Sequence, residues 1–317
     1  MDPMPAPGGA PDLLGTTLEP AIIRVSGLTR RFGAATALDS VSLSMPRGAV
    51  YGLVGANGAG KTTLIKHLLG LLRAEGGSVR VFGRDPVADP VGVLSRIGYL
   101  SEEHDLPGWM RVDELLRYSQ AFYPAWDEAY AEELRQAFAL DPAAKIQNLS
   151  KGQKARAGLL VALAHRPELL LLDEPSSGLD PVVRRDILEA IMRTIAHEGR
   201  TVLFSSHLLD EVERVADHVT MISHGRIALS APLEAIKESH RCVTLRFAES
   251  LTRPPALAGV LRWDGTGQEW TAVLRDGASM LQAAVASWGA RVVADRAPSL
   301  DEIFVAHVGT SASAPDA

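Results

Sequence analysis

Between residues 22 and 232, short apolar runs take turns with stretches of helical period, and each change of period marks a change of element. Ile22-Ile23-Arg24-Val25 and Val41-Ser42-Leu43-Ser44-Met45 alternate as strands do, with Phe32-Gly33 in the turn region between them. Val50-Tyr51-Gly52-Leu53-Val54 predicts a short buried strand, and Leu64 to Leu69 places apolar side chains on one face of a helix. Val79 to Gly83 and Ile97 to Leu100 predict two more strands, the second running into Glu102-Glu103. From Val112 to Leu140 the period is helical and breaks at Pro124; a further helix through Leu159, Leu160 and Leu163 stops before Pro167. The four leucines Leu169 to Leu172 suit a central parallel strand buried on both faces, and Val202-Leu203-Phe204 repeats that logic.

Strands alternating with helices predict an α/β fold with a mainly parallel sheet, some antiparallel strands and a helical subdomain at about 103–167. The pattern changes after Pro232. Cys242 to Phe247 alternates as a half-exposed strand, and Gly265-Thr266-Gly267 separates strand-like runs holding Trp263 and Trp270, a hairpin signature. Ala278 to Trp288 predicts a helix stopped by Gly289, and Ser299-Leu300-Asp301-Glu302 is a capping box opening a last helix. The expected division is a disordered tail at 1–20, a main domain at 21–235, a small α+β domain at 240–309 and a disordered tail at 310–317.

Composition narrows the partners. The chain has 317 residues, an apolar fraction of 46% and a net charge of −6, with a pI near 5.9. It is therefore not a basic nucleic-acid binder, and no nucleic-acid partner is expected. A single cysteine, Cys242, excludes an internal disulfide framework and fits a reducing cytoplasm. No apolar run approaches the roughly 18–20 residues of a membrane span. The N-terminus lacks the basic and apolar regions of a secretory signal.

Gly55-Ala56-Asn57-Gly58-Ala59-Gly60-Lys61-Thr62-Thr63 carries the chemistry. It matches the phosphate-loop pattern G-x-x-x-x-G-K-[ST] and sits where that pattern has meaning, between a strand and a helix. Glycines let backbone N–H groups turn onto phosphate oxygens, and the helix N-terminus adds free N–H groups and positive dipole. Lys61 is expected on the β- and γ-phosphates of ATP and Thr62 on Mg²⁺. Asp173-Glu174 ends the leucine strand, where Asp173 can hold Mg²⁺ and Glu174 can polarise an attacking water. Leu149-Ser150-Lys151-Gly152-Gln153 offers a hydroxyl, a glycine and a helix N-terminus, a second anion site. By itself Ser150 reads better as a helix cap. Beside a chain that already wraps one triphosphate, this second edge is most useful to the ATP of another molecule, which predicts a head-to-tail pair.

GANGAGKTT, LSKGQ, LLLLDEP and SSH, in this order, resemble the ATP-binding-cassette (ABC) nucleotide-binding subunits over about Ile22 to Pro232. The resemblance implies a phosphate-loop (RecA-like) core and ATPase activity. It makes Ser177-Gly178-Leu179-Asp180 the D-loop, with Asp180 meeting a second cassette, expected to be another copy. It makes His207 the γ-phosphate switch, Phe32 the adenine-stacking aromatic, and Ser150, Gly152 and Gln153 contacts to the partner's ATP. Two positions depart from the family pattern. Glu102 stands where glutamine is usual, so the metal-sensing role carries over to a charged side chain, with Glu103 beside it as a substitute. Lys151 replaces the first glycine of the signature. Phe122-Tyr123-Pro124-Ala125-Trp126-Asp127 and Pro298 to Phe304 are similar to bacterial drug- and antibiotic-resistance transporter ATPases.

The expected protein is the ATPase subunit of a transporter, working at the cytoplasmic membrane face on integral membrane permease subunits. The rival is an ABC ATPase acting on ribosomes or nucleic acid. Such relatives usually carry paired cassettes or very long coiled-coil inserts, whereas this chain has one signature, no sustained heptads and negative charge. A phosphate-loop kinase or GTPase would leave LSKGQ and the switch histidine without a role, and the N-K-x-D pattern of guanine readers is absent.

Overall fold

The computed structural model describes residues 21–103, 105–276 and 278–311. Its first layer is antiparallel: β1 (Ile23–Phe32) pairs with β2 (Ala35–Met45) on one side and with β4 (Gly76–Val81) on the other. Between β2 and β4 come β3 (Val50–Val54) and α1 (Lys61–Leu68). The short α2 (Pro90–Leu94), capped by Asp89, leads into β5 (Ile97–Leu100). The helical stretch holds α3 (Val112–Gln120), α4 (Glu128–Ala137) and α5 (Lys151–Ala164). Then follow β6 (Leu169–Leu172), α6 (Pro181–Glu198), β7 (Thr201–Ser206), α7 (Leu209–Val215), β8 (His218–Ser223), β9 (Arg226–Pro232) and α8 (Leu233–Ser239). The last elements are β10 (His240–Leu251), β11 (Val260–Arg275), α9 (Ala278–Ser287), β12 (Arg291–Arg296) and α10 (Leu300–Ser311).

The central sheet runs β5-β6-β7-β3-β8-β9, parallel except for β9. Its inner strands are buried on both faces, which is why they lack polar alternation. In β6, Leu169 and Leu171 join the core shared with the antiparallel layer, while Leu170 and Leu172 join the core under the helices. Each leucine removed there for alanine costs about 2–5 kcal/mol. β3 behaves likewise, except at Gly52, where a Cβ would meet Val212 Cγ1 at 2.3 Å. That close approach seats α7 directly on the strand that feeds the phosphate loop.

The C-terminal sheet has the order β11-β10-β12 around Val243, Leu245, Trp270, Ala272 and Leu274. β11 folds back on itself: the Arg275 N–H donates to the Gly259 carbonyl at 2.9 Å, and Gly265 lies against Glu269. Ser299 and Glu302 form the expected reciprocal cap of α10, at 3.2 and 2.8 Å. Leu300 and Ile303 of α10, however, are fully buried in the core of the main unit, and the Leu300 N–H donates to Glu213 of α7 at 3.3 Å. The last helix thus straddles both units. It runs to Ser311, and residues 1–20 and 312–317, where the expected tails fall, lie outside the described residues.

His240 and His307 meet at this junction. The His240 Nδ1–H donates to the Ile236 carbonyl at 2.7 Å, so its Nε2 accepts from His307 Nε2–H at 3.0 Å. Burial holds the His307 imidazole down to a pKa of about 4, with His240 and Arg275 adding to the effect.

Candidate nucleotide site

β3 delivers the chain to a loop that only glycine can follow at two points. A Cβ on Gly55 would lie 2.4 Å from the Ile222 carbonyl oxygen, and one on Gly60 would lie 2.6 Å from that of Ala37. Gly60 also has a φ of 114°, in the left-handed region. The loop is thereby clamped between the ends of β8 and β2, and α1 begins at once with Lys61. Its first N–H groups have no partner inside the helix and face the concavity with the positive end of the dipole.

The acidic side is equally constrained. The Asp173 N–H donates to the Leu100 carbonyl at 2.9 Å, which carries the β5–β6 pairing one residue past β6. Glu174 adopts a φ of 48°, a conformation that costs a side-chain-bearing residue roughly 1–2 kcal/mol. Ser205 links the pair: its Oγ donates to Asp173 Oδ1 at 2.7 Å and accepts the Glu174 N–H at 2.8 Å. Glu174 is 4% exposed and Lys61 5%, and their charges meet at 3.0 Å in an ion contact whose angle is off the hydrogen-bond line. The Lys61 ammonium donates to the carbonyls of Gly55 at 2.7 Å and Ala56 at 3.2 Å. On its other oxygen Glu174 accepts from His207 Nδ1–H at 2.7 Å, and the His207 side chain is partly exposed. Lys61, Glu174 and His207 therefore form one continuous polar chain across the mouth of the loop.

A cleft of about 350 Å³ opens there, lined by Ala37, Asn57, Gly58, Gly60, Lys61, Thr62, Thr63, Glu102 and Glu174. Of the residues expected on a bound nucleotide, these lie together, with Gly55, Ala59, Asp173 and His207 immediately behind or beside them. Glu102 is exposed on the cleft wall, whereas Glu103 is not among the lining residues. Phe32 stands apart at the tip of the β1–β2 hairpin, half exposed, with the Arg30 guanidinium 4.8 Å from its ring. Ala37 and Ser205 escaped the sequence reading. Ser205 had a signal, since it lies in the Ser205-Ser206-His207 run, but Ala37 enters only because the hairpin folds over the loop.

Ser150, Gly152, Gln153 and Asp180 are not brought to this cleft. Ser150 caps α5, its Oγ accepting the Gln153 N–H at 3.2 Å while Gln153 Oε1 accepts the Ser150 N–H at 2.9 Å. Gly152 is buried, and a Cβ there would meet Val183 Cγ2 at 2.8 Å. Asp180 caps α6 by accepting the N–H groups of Val182 and Val183 at 3.0 and 3.1 Å. The exposed Lys151 extends over the D-loop, its Nζ 2.5 Å from where a Gly178 Cβ would be.

The oxygen donors of Thr62, Asp173 and Glu102 suit a hard divalent cation, and Glu174 Oε1 is buried without a hydrogen-bond partner. Among the described residues no cluster of three His, Cys, Asp or Glu side chains could cage a metal. The donor set fits Mg²⁺ carried with a triphosphate, which completes its shell from phosphate and water.

Residues 38–177 match the ABC transporter family model. The chain is 32% identical over 222 residues to the bacitracin transport ATP-binding protein BcrA of Bacillus licheniformis, covering 69% of this chain and 72% of that protein. The chain belongs to the ABC transporter ATP-binding proteins. It is accordingly an ATPase and a subunit of a transporter. The daunorubicin/doxorubicin resistance ATP-binding protein DrrA of Streptomyces peucetius is 34% identical over 244 residues, 74% of this chain and 73% of its own length. The similarity to the daunorubicin resistance protein DrrA3 of Streptomyces coeruleorubidus, 32% over 300 residues, spans 89% of this chain and 94% of that one, so it takes in the C-terminal unit. A solved ATP-binding subunit of an ABC transporter superposes with a TM-score of 0.63 at 29% identity, over 68% of this chain and 92% of its own. A dimeric bacterial ABC cassette shares the fold, with a TM-score of 0.61 at 20% identity over 67% of this chain and 98% of its own.

Proposed function

We propose that two copies of this chain close on two ATP molecules, each bound by Gly55 to Thr63 of one copy and faced by Ser150 to Gln153 of the other. The observation that carries this is the Lys61–Glu174–His207 chain at the mouth of a glycine cradle. A triphosphate entering the cradle gives Lys61 new oxygen partners and frees Glu174. Glu174 then accepts a proton from the attacking water, and His207 Nε2 stands toward the γ-phosphoryl group. The γ-phosphoryl group passes to that water in line as its bond to the β-phosphate oxygen breaks, leaving ADP and phosphate, so positioning and charge stabilisation carry the catalysis and no covalent enzyme intermediate forms. Thr62 and Asp173, with Glu102 beside them, would hold Mg²⁺, which would supply charge neutralisation to the triphosphate. Asp180 of each copy meets the other, and Phe32 stacks on adenine.

The membrane partner is an integral permease subunit, and residues 102–110 with the helical stretch behind them relay closure to it. Trp109 is exposed at the end of that segment. Among the described residues no helix is long and apolar enough to cross a membrane, which supports a subunit held peripherally at the cytoplasmic face. Pull-down of the full chain from native membranes should bring an integral membrane protein with it; recovery of ribosomes in its place would favour the rival reading. Glu174→Gln should lower turnover by roughly 10²–10⁴-fold while retaining bound ATP and accumulating a dimer on size exclusion. Undiminished turnover would remove Glu174 from its role.

A further inference from the structure

Glu211 of α7 is 2% exposed, and no step above uses it. Its Oε2 accepts from the Ser176 hydroxyl at 2.6 Å and from the Ser206 hydroxyl at 3.4 Å. Its Oε1 stands 3.1 Å from Arg184 Nε, and the Arg184 guanidinium also donates to the Leu179 carbonyl at 3.5 Å. Ser206 in turn accepts the Leu208 N–H at 3.0 Å and so braces the backbone on both sides of His207. One carboxylate therefore touches the residue that opens the 176–180 loop, reaches the end of that loop through Arg184, and holds the residue before the switch histidine. Its own position is set by Val212, packed against Gly52 of β3.

Burial pushes the Glu211 carboxyl up, opposed by the Ser176 hydroxyl and the Arg184 guanidinium. A pair with one buried partner and one partly exposed adds little net stability, because desolvation of Glu211 consumes much of the Coulomb attraction. It does add direction, since every contact constrains angle as well as distance. We infer that Glu211 is a positioning residue that ties the D-loop to the His207 switch, so that contact by the second copy at Asp180 and engagement of the γ-phosphate occur as one event. The inference rests on the roles given above to Asp180 and His207.

The test uses the full chain, with kcat and KM for ATP and with ATP affinity measured separately by a fluorescent ATP analogue without magnesium. Glu211→Ala should lower kcat about tenfold or more and leave KM and nucleotide affinity within twofold. Glu211→Gln combined with Arg184→Gln, which keeps an amide link without buried charge, should recover most of the kcat that Glu211→Gln alone loses. Asp180→Ala and Glu211→Ala together should cost little more than either alone, because residues acting as one unit are non-additive. Independent, multiplying losses would overturn the link, as would an unchanged kcat in Glu211→Ala. Should Glu211→Ala not fold, the Gln–Gln pair decides: no recovery overturns the inference. His207→Ala serves as the control, since full activity there would sink the site assignment itself and not the role of Glu211.

Discussion

The two edges offered to nucleotide are built on opposite principles. The phosphate-loop edge is buried, with the charges of Lys61 and Glu174 opposed at 3.0 Å and His207 completing the chain. The signature edge is exposed, and its side chains are occupied by their own helices: Ser150 with Gln153 caps α5, and Asp180 caps α6. The first edge exchanges an internal partner for phosphate. The second keeps its internal hydrogen bonds and offers a rigid rim, including Lys151 above Gly178. Preorganisation thus lies in charge on one side and in backbone shape on the other. On the reading proposed above, a site divided this way binds ATP in a single copy and is completed only when two copies meet.

The largest expected effect sharpens the contrast on the buried edge, where Glu174→Gln should cut turnover by the factor given above without loss of ATP. Lys61→Ala comes next. It removes a charge-assisted partner of the phosphates and leaves Glu174 buried without its cation, so ATP affinity should fall by about two orders of magnitude, read by equilibrium binding. Ser150→Ala probes the exposed edge. Loss of the cap should cost about 1 kcal/mol in thermal unfolding, and ATP-driven dimerisation should weaken while single-copy affinity stays unchanged. A fall in single-copy affinity would break the division between the edges.

The smallest effect on nucleotide handling belongs to the C-terminal unit, where a stability change should leave both edges intact. A histidine held below its ordinary pKa takes up protons more readily when unfolded. Stability from His307 is therefore complete above pH ~6.5 and is lost as pH falls toward about 4. Partial exposure reduces the expected loss to about 1–2 kcal/mol. His307→Leu should flatten this acid limb in denaturation curves, with nucleotide affinity at neutral pH unaffected.

Much of this was legible in the chain because local rules dominated. Four leucines in succession admit no amphipathic solution, and β6 is accordingly buried on both faces. Gly55 to Thr63 is a local structure whose geometry follows from glycine and a helix start. Ser299 and Glu302 announced α10 through a cap that needs only four residues. Where α10 docks was not legible, since Leu300 and Ile303 could have served either unit's core. The roles of Ala37, Ser205 and Glu211 were hidden for a similar reason, because each depends on segments brought together by other strands and loops.

The sequence by itself determined a nucleotide-binding loop between a strand and a helix, an acidic pair at the end of a buried strand and a Ser150-capped helix start, because those features are short and their chemistry is contiguous. Only the tertiary structure decided that Lys61 rests on Glu174, that the second edge lies away from the first cleft, and that Glu211 bridges the Ser176 and Ser206 hydroxyls. Contacts between residues far apart in the chain depend on which faces the core leaves free, and that is settled by packing and not by local pattern.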